Sequence, residues 1–173
     1  MPGMALTLMS LTERDLHELI EAPDAFARRH ALVLEEGGCA PAPIYERALH
    51  NMVLAPDWAD VLGTRLYVLD GQRVVGSGGV KAPPLSDGEV EIGYAVAPAY
   101  QGRGLATQAA RALTAEALAH GASRVSAFTT PDNTASWRLL QRIGYVRGGE
   151  MMSPDDGLVW RWVFDKPQQE ALR

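Results

Sequence analysis

One cysteine, four scattered histidines and no long apolar run are what this chain has least of, and each shortage removes a class of protein. Cys39 alone closes no internal disulfide, so a disulfide-stapled scaffold is excluded. His17, His30, His50 and His120 stand at no close metal-ligand spacing with one another or with Cys39, and no metal is expected. No apolar stretch approaches the roughly 18 residues that span a bilayer, so a membrane is not an expected partner. The start, Met-Pro-Gly-Met-Ala-Leu, has no basic leader and meets Glu13 and Asp15 early, against a secretion signal. The expected location is cytoplasmic. Repeats and linker-like tracts are missing too. With 47% hydrophobic and 21% charged residues over 173 positions, the composition is that of one globular domain, 1–173, able to bury about 70% of its unfolded surface.

What is present is unevenly charged. The net charge of −5 argues against nucleic acid as a partner, yet residues 1–60 carry −6 while 98–147 carry +4. The basic stretch holds Arg103, Arg111, Arg124, Arg138, Arg142 and Arg147 against two acids, Glu116 and Asp132. Such a segment suits a compact anion, or it is a set of solvated helix faces.

Periodicity divides the chain into a mostly helical first third and an alternating remainder. A short strand, Ala-Leu-Thr-Leu-Met, precedes Thr12, a helix cap with Asp15 three residues on. Helices are expected near 24–34 and 43–54, separated by the Gly/Pro loop around Cys39. The Asp70-Gly71 pair predicts a hairpin turn, and Glu89 to Ala97 a strand stopped by Pro98. Leu105, Ala109 and Leu113 recur at helical spacing up to Gly121. Residues 124–130 read as a strand, 134–143 as a helix ended by Gly144, and the rest as two strands. The fold class is α/β, alternating strand and helix in its later part.

The informative segment is Gln101-Gly102-Arg103-Gly104-Leu105-Ala106, between a strand and a helix. Glycines there let the backbone bend and approach a ligand, and the helix's unpaired N–H groups face whatever sits above. That geometry receives a pyrophosphate, although a plain glycine turn has the same letters. Three alternatives fail on residues. No glycine cluster is followed by Lys-Ser or Lys-Thr, Thr107 stands where a dinucleotide fingerprint needs Gly or Ala, and no Gly-x-Ser-x-Gly elbow occurs.

Here the sequence resembles the GNAT superfamily of N-acetyltransferases, whose coenzyme A loop reads Gln/Arg-x-x-Gly-x-Gly/Ala. Gln101, Gly104 and Ala106 fit it, and the resemblance runs over about 65–165, through Asn133-x-x-Ser136 and Gly144-Tyr145. The pattern is most similar to the branch that includes the ribosomal-protein N-terminal acetyltransferases. The resemblance implies a mixed, mostly antiparallel twisted sheet of about six to seven strands flanked by helices on both faces. It implies acetyl-CoA as co-substrate, with 65–165 as the coenzyme-binding core and 1–60 as the acceptor side. The amides of 102–106 with Arg103 would hold the pyrophosphate, Arg138 or Arg142 the ribose phosphate, and Asn133 the pantetheine arm, unless it is only a helix cap.

Acetyl transfer to an amine needs a neutral amine, a polarised carbonyl and a proton for the departing thiolate. In similar proteins the strand at Tyr94-Ala95-Val96 splays from its neighbour and offers free amides to the acetyl end. Glu91 and Glu89 share one strand face and are the candidate bases, Glu91 the nearer. Many relatives carry a tyrosine as acid seven residues after the asparagine; here that position is Leu140. Ser136 is left, with Tyr145 second. The expected function is N-acetylation by direct attack of a small-molecule amine or a peptide N-terminus. The alternative, motivated by Leu140, is a non-catalytic coenzyme A-binding sensor. The acidic first third favours a cationic acceptor, and Trp58, Trp160 and Trp162 are candidate walls for it, or core residues. A homodimer is compatible with the sequence.

Overall fold

The computed structural model of the chain describes residues 4–167. The elements run β1 (Leu6–Met9), α1 (Glu13–Glu21), α2 (Pro23–His30), β2 (Val33–Leu34), α3 (Ala42–Leu54), β3 (Gly63–Leu69), β4 (Arg73–Val80) and β5 (Glu89–Val96). They continue with α4 (Leu105–His120), β6 (Arg124–Thr129), α5 (Thr134–Arg142), β7 (Val146–Ser153) and β8 (Gly157–Asp165).

Local chemistry accounts for most of the boundaries. Thr12 caps α1 by accepting from the Asp15 amide at 3.2 Å, while the Asp15 carboxylate accepts from the Thr12 amide at 2.9 Å. Asp70 and Gly71 both adopt positive φ, 50° and 69°, the twist a tight hairpin between β3 and β4 requires. One expectation is corrected. The helix predicted over 24–34 ends at His30, because Ala31 turns left-handed (φ 54°) and caps it. Val33 and Leu34 then form β2, pairing in parallel with Arg73 and Val74 of β4.

The sheet has eight strands in the order β1-β3-β4-β5-β6-β8-β7, with β2 beside β4. Pairing is antiparallel except at β2–β4 and β5–β6, the latter joined by α4 as a crossover. Helices cover both faces, as β3 shows residue by residue. Leu66 and Val68 pack with Leu16, Phe26 and Tyr45 of α1–α3, whereas Tyr67 and Leu69 pack with Leu105 and Ala109 of α4. Each such fully buried side chain contributes about 1.5–3 kcal/mol.

The register at the centre of the sheet creates the site. On one side β5 pairs with β4 from Ile92 to Val96. On the other it pairs with β6 only from Glu89 to Glu91, although both strands run on. Beyond Glu91 the two part, and β6 keeps β8 as its partner as far as Thr129. The sheet is split there, leaving main-chain groups of β5 unpaired on the side toward β6.

Candidate active site

The split opens into a cleft of about 730 Å3 between the N-terminal ends of α4 and α5. Its first wall is the turn between β5 and α4. Gln101 is anchored by its side chain, which donates to the Val96 carbonyl at 3.1 Å. Gly102 and Gly104 adopt φ 75° and 77°, and nothing lies within 4 Å of where their Cβ atoms would be. Backbone conformation, not crowding, therefore demands glycine, and the space above is open. Gly104 caps α4 without a side chain, and the first helical bond runs from the Gln108 amide to the Gly104 carbonyl at 3.1 Å. The amides of Leu105, Ala106 and Thr107 are left for a ligand, at the positive end of a 16-residue helix.

The opposite wall is α5. Asn133 caps it, its side chain accepting from the Ser136 amide at 3.3 Å. The Ser136 hydroxyl lies 2.8 Å from that of Tyr94, which projects into the cleft from β5. Burial pushes the Tyr94 phenol above its ordinary range, only partly offset by the bond to Ser136.

Eleven of the sequence-predicted residues line this cleft. They are Tyr94, Ala95 and Val96 of β5; Gln101, Gly102, Gly104, Leu105 and Ala106 of the turn and helix; and Asn133, Ser136 and Arg142 of the α5 region. Four do not. Arg103 turns back, donating to the Ala99 carbonyl at 3.2 Å and lying over the Tyr100 ring. Arg138 lies over the Trp137 ring at 5.5 Å. Tyr145 is in the core, 3% exposed and 2.7 Å from the Thr114 hydroxyl, so it is corrected from acid to packing residue. Glu89 is buried and ion-paired with Arg161, which corrects its candidacy as a base.

Arg111 and Thr107 line the cleft and were missed. Their signal was available, since they stand seven and three residues beyond Gly104 and so on one face of α4 with it. The Tyr94 hydroxyl was missed because only its backbone was considered. Leu140, at the position where many relatives carry tyrosine, is fully buried.

On the other face of β5 a second cavity of about 260 Å3 lies between α3 and the glycines of β3, β4 and β5. Gly79 and Gly93 pair directly across β4–β5 and leave its floor without side chains. Glu91 sits at this side, held by Lys81 at 2.6 Å. The charged side chains lining the cavity are Arg47 and Lys81. The acids of the first third are elsewhere: Glu35 pairs with Arg73 and accepts from the Tyr100 hydroxyl at 3.1 Å. The acidic first third thus contributes no carboxylate to the lining of this cavity. The tryptophans are not its walls either; Trp160 and Trp162 pack with Trp137, and Trp58 packs with His120. Cys39 does line it, but burial raises its thiol pKa, contrary to what a nucleophile needs.

A split, mostly antiparallel sheet with two helix N-termini facing the split makes an α/β fold with an open cleft at its centre. The model of the acetyltransferase (GNAT) domain matches residues 5–146. The chain belongs to the GNAT family and is an acetyltransferase. Among solved structures it resembles the ribosomal-protein-S5-alanine acetyltransferase of Vibrio fischeri, at 16% identity over 97% of this chain and 96% of that one, with a TM-score of 0.65. It is similar to yncA of Salmonella typhimurium, a structure holding acetyl-CoA, at 18% identity, 98% and 97% coverage and a TM-score of 0.64. RimL, the ribosomal L7/L12 α-N-protein acetyltransferase in complex with coenzyme A, matches at 16% identity, 92% and 93% coverage and a TM-score of 0.63. At these identities the likeness is one of fold. Among the described residues no helix is long and apolar enough to cross a membrane.

Proposed function

We propose that the chain transfers acetyl from acetyl-CoA to a primary amine by direct attack, the amine belonging to a small molecule or a peptide N-terminus. One observation carries this reading: Tyr94 and Ala95 line both cavities, so the strand that borders the coenzyme cleft also borders the pocket beside Glu91. The cleft fits the coenzyme's anionic part on its own evidence, through the free amides of residues 105–107 and the side chains of Arg111 and Arg142. Bound there, acetyl-CoA supplies an activated thioester.

The chain's residues do the rest. The unpaired amides of β5 donate toward the acetyl carbonyl, and Glu91 takes the proton of the attacking amine, directly or through water. The Tyr94–Ser136 hydroxyl pair lies on the cleft side, where a thiolate needs a proton. A thiol with an ordinary pKa near 8.5 needs little help in leaving. That pair supplies the hydroxyl group whose absence at position 140 motivated a non-catalytic reading. The proposal keeps a cytoplasmic location, supported by the acidic, single-cysteine composition.

The test is calorimetric titration with acetyl-CoA, followed by thiol release across an amine panel. Saturable binding and release of coenzyme A with at least one amine are expected. Binding without release from any amine, peptide N-termini included, would leave only the sensor reading.

A further inference from the structure

The acceptor pocket is basic, and that restricts what it accepts. The face of α3 toward the pocket carries Ile44, Arg47, Ala48 and Asn51, spaced as one helical stripe. Asn51 is fixed, donating to the Lys81 carbonyl at 2.9 Å. Lys81 is engaged by Glu91. Arg47 is exposed and, among the described residues, has no ion-pair partner. The pocket thus has one lysine already paired with a carboxylate, Glu91, and one uncommitted guanidinium on its wall. The floor is neutral, made of glycines and the hydroxyls of Thr64 and Ser77.

We infer that the acceptor is a primary amine carrying an anionic group a few bonds from the nitrogen, and that Arg47 binds this anion. The inference rests on the acetyltransfer reading above and names the substrate class of that same site. A guanidinium meets a carboxylate as a fork of two parallel N–H donors, which sets orientation as well as affinity. With the anion at Arg47, the amine is directed toward Tyr94 and Ala95, where the two cavities meet. A purely cationic acceptor gains nothing there, because the lining cations repel it. A volume of about 260 Å3 has room for a free amino acid or the first residue of a peptide.

The experiment compares kcat/KM for free amino acids with that for their amides, and for peptides beginning with Glu with that for peptides beginning with Gln. The anionic member is expected to be preferred about tenfold or more, the worth of a charge-assisted hydrogen bond. Preference confined to free amino acids identifies a small-molecule acceptor; preference confined to Glu peptides identifies an acidic N-terminus. In Arg47→Gln the preference should vanish, mainly through KM for the anionic acceptors, with the KM for acetyl-CoA unchanged. A binding readout accompanies it: with coenzyme A present, N-acetylglutamate should raise the melting temperature of the wild type more than N-acetylglutaminamide, which carries no carboxylate, and equally in Arg47→Gln. Turnover of the neutral members as good as of the anionic ones, or a preference surviving in Arg47→Gln, would overturn the inference alone. Absence of release from every amine, with acetyl-CoA still bound, removes the underlying reading as well.

Discussion

Glu89 and Glu91 are two residues apart on one strand, and replacing each by glutamine should produce opposite phenotypes. The Glu91–Lys81 pair is open to solvent, its side chains 31% and 41% exposed. Such pairs are worth about 0–1 kcal/mol, so Glu91→Gln should shift the melting temperature of a chain this size by no more than about 4 °C. Its catalytic cost is that of a lost general base, about 10²–10⁴-fold in kcat. Glu89 is different, with a side chain 7% exposed and paired with an Arg161 that is 29% exposed. Removing one partner of a buried pair costs about 3–5 kcal/mol, and the partial exposure of Arg161 places this case at about 3. Glu89→Gln should therefore melt about 6–12 °C lower while the surviving folded enzyme turns over normally. The assays are thiol release at saturating acetyl-CoA with an accepted amine, and thermal unfolding without ligand. Full kcat in Glu91→Gln, or lost activity with an unchanged melting temperature in Glu89→Gln, would refute the assignment.

Three further expectations follow from side chains placed by the fold. Arg111→Ala and Arg142→Ala should each weaken coenzyme A binding in calorimetry several-fold, and more so at low salt, whereas Arg103→Ala should bind within about twofold of wild type because its guanidinium caps Ala99 and Tyr100. Tyr145→Phe removes a buried hydroxyl bonded to Thr114, so chemical denaturation should show a loss of about 1 kcal/mol with kcat unaltered; a large fall in kcat would return Tyr145 to the catalytic candidates. At Asp15, burial raises the carboxyl pKa, but hydrogen bonds from His30, Thr12 and Arg29 outweigh it and hold the pKa at about 2, against 3.8 ordinarily. A depressed pKa gives stability that is present above about pH 4 and lost as pH falls through 2, so Asp15→Asn should cost about 2 kcal/mol at pH 7 and nothing below about pH 1.

Much of this protein was legible from local rules, because those features are local in physical origin. The Asp70-Gly71 hairpin, the Thr12 capping box and the stop at Gly121 depend on a few neighbouring residues, and each stands where it was expected. The backbone of the 101–106 turn belongs with them. Positive φ at Gly102 and Gly104 and free amides at the start of α4 are properties of one strand-turn-helix segment. The helix expected to reach residue 34 shows where local reading stops. Val33 and Leu34 follow a left-handed Ala31 into pairing with β4, a partner some forty residues away.

The letters alone could not decide which charges share a space. Ten acids in the first sixty residues suggested a cation site, yet the fold spends Glu35 on Arg73 and turns Arg47 and Lys81 to the cavity beside α3. Glu89 and Glu91 are equivalent by strand period, and only Arg161, arriving from β8, separates an ion-paired structural carboxylate from one beside the pocket. The Tyr94–Ser136 contact likewise joins residues forty-two positions apart. Composition and spacing determined the class of chemistry and the glycine turn proposed to hold the coenzyme. Side-chain partners depend on distances between segments remote in sequence, and those were set only when the sheet closed on β4 and parted from β6.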